Sequence, residues 1–147
     1  MIIAGVYHKV QPAIDIDILR DFVGADAEIL VYFLGRFFET LRDGMLDMRR
    51  MHLLQQWRDT SILAHNLRTS ALAIGAFQFA ALCEAMEKLA VVPSVNGMTP
   101  ANDPRVLLFE HIGRAFGDVE KAVSAALPGL GSVSATMPRL ARNSDAF

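Results

Sequence analysis

The sequence predicts an all-α protein: an up-down four-helix bundle with a short additional N-terminal capping helix. Apolar residues recur every three or four positions in five successive stretches, the period of a helix with one buried face. No stretch alternates with period two between hairpin turns, so no sheet is expected. Four of the stretches approach twenty residues and most of their connections are short, which favours antiparallel neighbours.

Residues 1–14 read as a lead-in that ends near Pro12. From Asp15 the spacing turns helical: Ile16, Leu19 and Phe22/Val23 share a face, and Gly24 supplies a terminator. The second helix opens near Asp26, with Glu28 in the first turn where acids suit the helix dipole. Its stripe runs through Ile29/Leu30, Phe33, Phe37 and Leu41, and the expected end is near Asp47, with Arg49, Arg50 and a frayed stretch to His52 behind it. A third helix is expected over Trp57–Ala73 and a fourth over Gly75–Val91. The prolines, glycine and asparagines of the following stretch make 93–103 a loop. Asp103-Pro104 then opens the last helix as a capping side chain followed by proline at the first helical position. Phe109, Ile112, Phe116, Val119, Val123 and Ala126 give it an alternating three-four stripe, and Pro128-Gly129 is expected to end it. One domain is thus expected over 15–127, with 128–147 as a flexible tail.

Composition narrows the function classes. A net charge of -2 offers no basic excess for a nucleic-acid partner. The lone Cys83 excludes an intramolecular disulfide and reads as a small buried apolar filler. No run of eighteen apolar residues suggests a membrane span, and MIIAGVYHKV lacks the pattern of a secretory leader, so a cytoplasmic protein is expected. A di-iron bundle would place glutamate three residues before a histidine. Those positions hold Gly5, Arg49, Ile62 and Leu108, so no metal site is expected. Met45, Met48 and Met51 read as core in preference to a dimerising surface. His111 reads as a surface or bundle-edge residue, and His52 as a helix-end residue whose positive charge would suit the dipole.

His65 differs. At about 100° per residue, Leu63, Leu67, Ser70 and Ile74 gather on one side of the third helix, the expected buried stripe. His65 falls about 200° from Leu63, with Ser61, Arg68, Thr69 and Leu72 within roughly 60° of it. An exposed leucine beside an exposed cation and an imidazole has the character of a docking patch.

Residues 63–87 resemble the histidine phosphotransfer (HPt) domains of bacterial phosphorelays. Ala64-His65, Leu67, Ser70, Ile74-Gly75-Ala76, Phe79, Cys83 and Met86-Glu87 fall in register with the family pattern. Gln55-Gln56-Trp57 stands where the family often has Gly-Asp-Trp. The resemblance covers about residues 14–127, its specific part the segment 63–87. It implies a phosphocarrier that shuttles a phosphoryl group between receiver-domain aspartates in a multi-step His-Asp relay. The partners implied are the receiver domains of a hybrid sensor kinase and of a response regulator. The implied phosphoacceptor is His65, with Arg68 as electrostatic support and Glu87, or Glu84 one turn earlier, orienting the ring. Ser61, Thr69, Leu72 and Ala76 would line the partner-docking face. No cofactor of its own is implied: Mg²⁺ and the catalytic aspartate come from the partner receiver domain, and the chain is not itself an enzyme. No nucleotide-binding loop is present in the sequence.

Two positions depart from the pattern. Arg68 replaces a lysine, which keeps the positive charge and permits a bidentate grip on phosphate. Thr69 replaces a glycine, putting a β-branched side chain where the partner would approach. The alternative is therefore an HPt-like adaptor that binds receivers without carrying phosphate.

Overall fold

In the computed structural model, residues 11–131 are described, and they form five helices and no strand. These are α1 (Ile16–Val23), α2 (Ala27–Leu53), α3 (Trp57–Ala73), α4 (Phe77–Ala90) and α5 (Pro104–Gly131). Most of the expected lead-in and the part of the expected tail beyond residue 131 lie outside the described residues.

Local chemistry starts the helices where the sequence suggests. Asp15 caps α1 through the Asp17 amide, 3.0 Å away, and Asp26 caps α2 through the Glu28 amide at 2.9 Å. Asp103 takes the Arg105 amide at 2.9 Å at the start of α5. Helix α3 has no such help, since Gln56 makes no side-chain cap.

Two helices run further than expected. Helix α2 continues past Asp47 to Leu53, because Met48 is buried in the core and His52 packs on Trp57 and Phe109. Gln55 then closes the helix at φ +57°, a left-handed conformation usually given to glycine. Helix α5 continues through Pro128 to Gly131, so the tail does not begin at 128. Proline deletes one amide donor, but Leu127 and Leu130 on either side of it pack against the core, which favours another turn.

Helix α3 packs on α2 and α4, α4 on α5, and α5 back on α2, while α1 rests on α2 and α3. The core between them holds Leu30, Leu34, Leu41 and Met48 of α2, Leu67 of α3, Phe79 and Met86 of α4, and Ile112, Val119 and Val123 of α5. Each such side chain contributes about 1.5–3 kcal/mol by leaving water. Met45 also packs against this core, so the methionines of α2 are largely interior.

Two glycines set the position of α3. A Cβ on Gly44 would run into the Leu67 side chain, so α2 and α3 approach closely there. Gly75, at φ +68°, turns the chain between α3 and α4; a Cβ there would lie 2.6 Å from the Asp15 amide nitrogen and 2.7 Å from its carbonyl oxygen. Backbone atoms cannot yield, so only glycine fits. The Asp15 amide in turn donates to the Ile74 carbonyl at 3.0 Å, pinning the turn.

Candidate functional site

The buried side of α3 is Thr60, Ala64, Leu67 and Ala71, turned roughly 60° from the stripe expected around Leu63. Leu63 and Ser70 are only half-buried. The small alanines face the core because α3 lies close to its neighbours, and the larger Leu63 sits at the edge. This rotation leaves His65 on the open side, with 50% of its side chain exposed.

The His65 ring is oriented from α4. Its Nδ1 lies 3.0 Å from Glu87 Oε2. A carboxylate can only accept, so Nδ1 is the donor, and in the neutral ring the lone pair is then on Nε2. Glu87 is thus the ring's partner, and Glu84 faces the next rung of the antiparallel pair. Glu84 lies 3.6 Å from Arg68 Nη1 and 3.3 Å from Lys88 Nζ. Arg68 is consequently drawn toward α4, and its Nε is buried with no hydrogen-bond partner. The cation stands one turn beyond His65, but it is shared with a carboxylate and not free.

The remaining expected site residues divide. Thr69 and Leu72 are exposed on the His65 side of α3. Ser61 is half-buried, and its hydroxyl donates a 2.6 Å hydrogen bond to the Glu87 carbonyl oxygen. Ala76 is fully buried beneath the α3–α4 turn and offers no docking surface, a correction to the sequence expectation. It precedes α4 and its amide donates to the Ala71 carbonyl, which draws it inward. Cys83 is buried, and desolvation pushes its thiol up to about 12, so it is unreactive filler. Among the described residues, no group of three or more His, Cys, Asp or Glu side chains is placed to hold a metal ion.

No family model, no curated protein and no solved structure matches this chain. The site therefore rests on its own geometry.

A second cluster, absent from the sequence reading, lies where α2, α3, the 91–103 connection and α5 meet. Arg105 is 4% exposed. Its guanidinium stacks 4.1 Å over the Trp57 ring, meets Asp103 at 2.9 Å and donates to Ser94 Oγ at 2.9 Å. Asp103 is held below its ordinary value mainly by the hydrogen bond from the Arg105 side chain. His52 stacks on Phe109 at 4.6 Å and meets Trp57 edge-on at 5.2 Å. Burial lowers its pKa below the usual 6.5, against the pull of Asp103 and with the help of Arg105. Burial therefore disfavours the charged ring, which weakens the role expected for its positive charge at the helix end, and the ring contacts with Phe109 and Trp57 make His52 a packing residue. A cavity of about 380 Å³ opens beside this cluster. These residues are 94, 103 and 105 on one side and 52 and 57 on the other, and only the Asp103-Pro104 helix start was readable as a signal.

Proposed function

We propose that this protein is a phosphocarrier of a multi-step His-Asp relay, with His65 as the phosphoacceptor. The observation that supports it best is the His65–Glu87 pair: an exposed imidazole whose Nδ1 is tied to a carboxylate, leaving Nε2 as the nucleophile. In this reading α2–α5 are an up-down four-helix bundle and α1 caps one end, with the mutual packing of the helices in its favour. The lone pair of Nε2 attacks the phosphorus of a receiver's aspartyl phosphate. An N–P bond forms, the P–O bond to the aspartate breaks, and that carboxylate leaves with the electron pair; the reverse step loads the next receiver. Mg²⁺ on the receiver and Arg68 on this chain offset the charge on the equatorial oxygens. Arg68 would exchange Glu84 for phosphate, a small cost for a partly exposed pair. Thr69 and Leu72 would meet the receiver's surface around its aspartate.

One feature favours a second reading. Thr69 stands exposed on the approach to His65, and its γ-substituents would obstruct a tightly docked receiver. An adaptor that binds receivers without taking phosphate would tolerate that. Incubation with a panel of phosphorylated receiver domains and Mg²⁺ separates the two. The phosphocarrier reading expects acid-labile, base-stable label on the wild type and none on His65→Gln. Binding without label from any receiver would transfer support to the adaptor, and Thr69→Gly would then be expected to restore labelling.

A further inference from the structure

The Ser61 hydroxyl points at the backbone of the residue that holds the ring. Glu87 lies in the last turn of α4, which ends at Ala90, and the carbonyls of a last turn lack intrahelical donors. Ser61 supplies that donor from the neighbouring helix, at 2.6 Å. On α3, Ser61 and His65 are four residues apart and share a face. The result is a closed circuit: one turn of α3 from Ser61 to His65, the bond from His65 Nδ1 to the Glu87 carboxylate, the Glu87 side chain itself, and the bond from its carbonyl back to Ser61. Opened at Ser61, the circuit leaves a partly exposed His–Glu contact, with the Glu87 carbonyl no longer tied to α3.

We propose that Ser61 is a positioning residue for the His65 ring. By capping the Glu87 carbonyl it keeps the carboxylate at Nδ1, which keeps the proton on Nδ1 and the lone pair on Nε2. Its consequence for phosphate transfer rests on the phosphocarrier reading; its effect on the ring does not. Ser61 thus acts through Glu87 and does not line the docking face.

The test compares wild type, Ser61→Ala and Ser61→Thr, each full-length. Long-range ¹H–¹⁵N spectra read the His65 tautomer, thermal melts read the fold, and transfer from phosphorylated receivers reads the reaction. In wild type the Nδ1–H tautomer should dominate. Ser61→Ala should retain the helical melt yet show a mixture of tautomers and transfer slowed on the order of tenfold, as expected for a small misplacement of a reacting group. Ser61→Thr, which keeps a hydroxyl, should restore both. A wild-type tautomer ratio in folded Ser61→Ala would overturn the proposal. If Ser61→Ala does not fold, the isosteric pair Ser61→Thr and Ser61→Val makes the same comparison, and one tautomer ratio shared by both would overturn it. A ring that responds to Ser61 in a protein no receiver labels would refute the carrier reading and leave the positioning intact.

Discussion

His65 stands on the open side of α3 with a carboxylate at Nδ1, whereas His52, in the last turn of α2, is stacked on Phe109 with its Nδ1 buried and unpartnered. Around His65 the charged groups are partly exposed and weakly tied: Glu87, Arg68, Glu84 and Lys88. Around His52 they are enclosed and over-determined, with Arg105 gripped by Asp103, Ser94 and the face of Trp57. The same side chain is thus open to solvent in one place and packed between rings in the other. Water access and the fate of the second ring nitrogen make the difference. The proposed phosphocarrier would have to exchange partners at His65 and so be cheap to open there, whereas a joint that holds a connection to two helices need not.

The sharpest way to break this contrast is to remove the enclosed cation. Arg105→Ala leaves the largely enclosed Asp103 without its guanidinium, and breaking such a pair from one side costs at most about 3 kcal/mol, the figure for a fully buried pair. A urea or thermal melt should show that loss, while His65 keeps its tautomer. An unchanged melt would mean that the cluster adds nothing to the fold.

Next comes pH. His52 has its pKa lowered in the fold by burial, so the unfolded chain binds its proton more readily. Its contribution to stability is therefore full above the ordinary value of 6.5 and is lost as pH falls from there through the lowered folded value. Melts across that window should weaken on acidification in wild type and weaken less in His52→Phe, which keeps an aromatic ring for Phe109. Equal slopes in the two proteins would assign the acid sensitivity elsewhere.

A smaller effect, of opposite sign, is expected at the joint between α2 and α3. Gln55 holds φ +57° without the freedom of glycine, so Gln55→Gly should stabilise by about 1 kcal/mol. The smallest effect on stability belongs to the open site. Arg68→Ala removes a half-exposed ion pair and should change stability by less than about 1 kcal/mol, while slowing transfer from a receiver. A lost helical melt would show that Arg68 is structural.

How much of this was legible follows from which residues carry strong signals. Helix-capping aspartates and the apolar period marked five helices, and the limits Trp57 and Ala73 of α3 were readable outright. The exposure of His65 followed from the helical wheel of α3, whereas its ring partner came only from the family resemblance and stayed open between Glu87 and Glu84 until the structure put Glu87 at Nδ1. The rotation of α3 was missed because its core face is built from Thr60, Ala64 and Ala71, which weigh little in any hydrophobic pattern beside Leu63. Ala76 was misplaced for a related reason: a small residue after a turn can face either way until the tight Asp15–Gly75 contact is known. The continuation of α5 past Pro128 depended on tertiary anchoring by Leu127 and Leu130, which outweighs a local breaker. The Arg105 cluster and the Ser61 bond join residues far apart in sequence, and nothing in their spacing announces either.

The proposed phosphocarrier requires Nε2 of His65 to be the nucleophile, since Glu87 occupies Nδ1. It is tested most directly by loading the protein from a phosphorylated receiver and locating the phosphoryl group by ³¹P and ¹⁵N NMR. One phosphohistidine is expected, at His65, with phosphorus bonded to Nε2. Phosphorus on Nδ1, on another residue, or on none after exposure to the full receiver panel would contradict it.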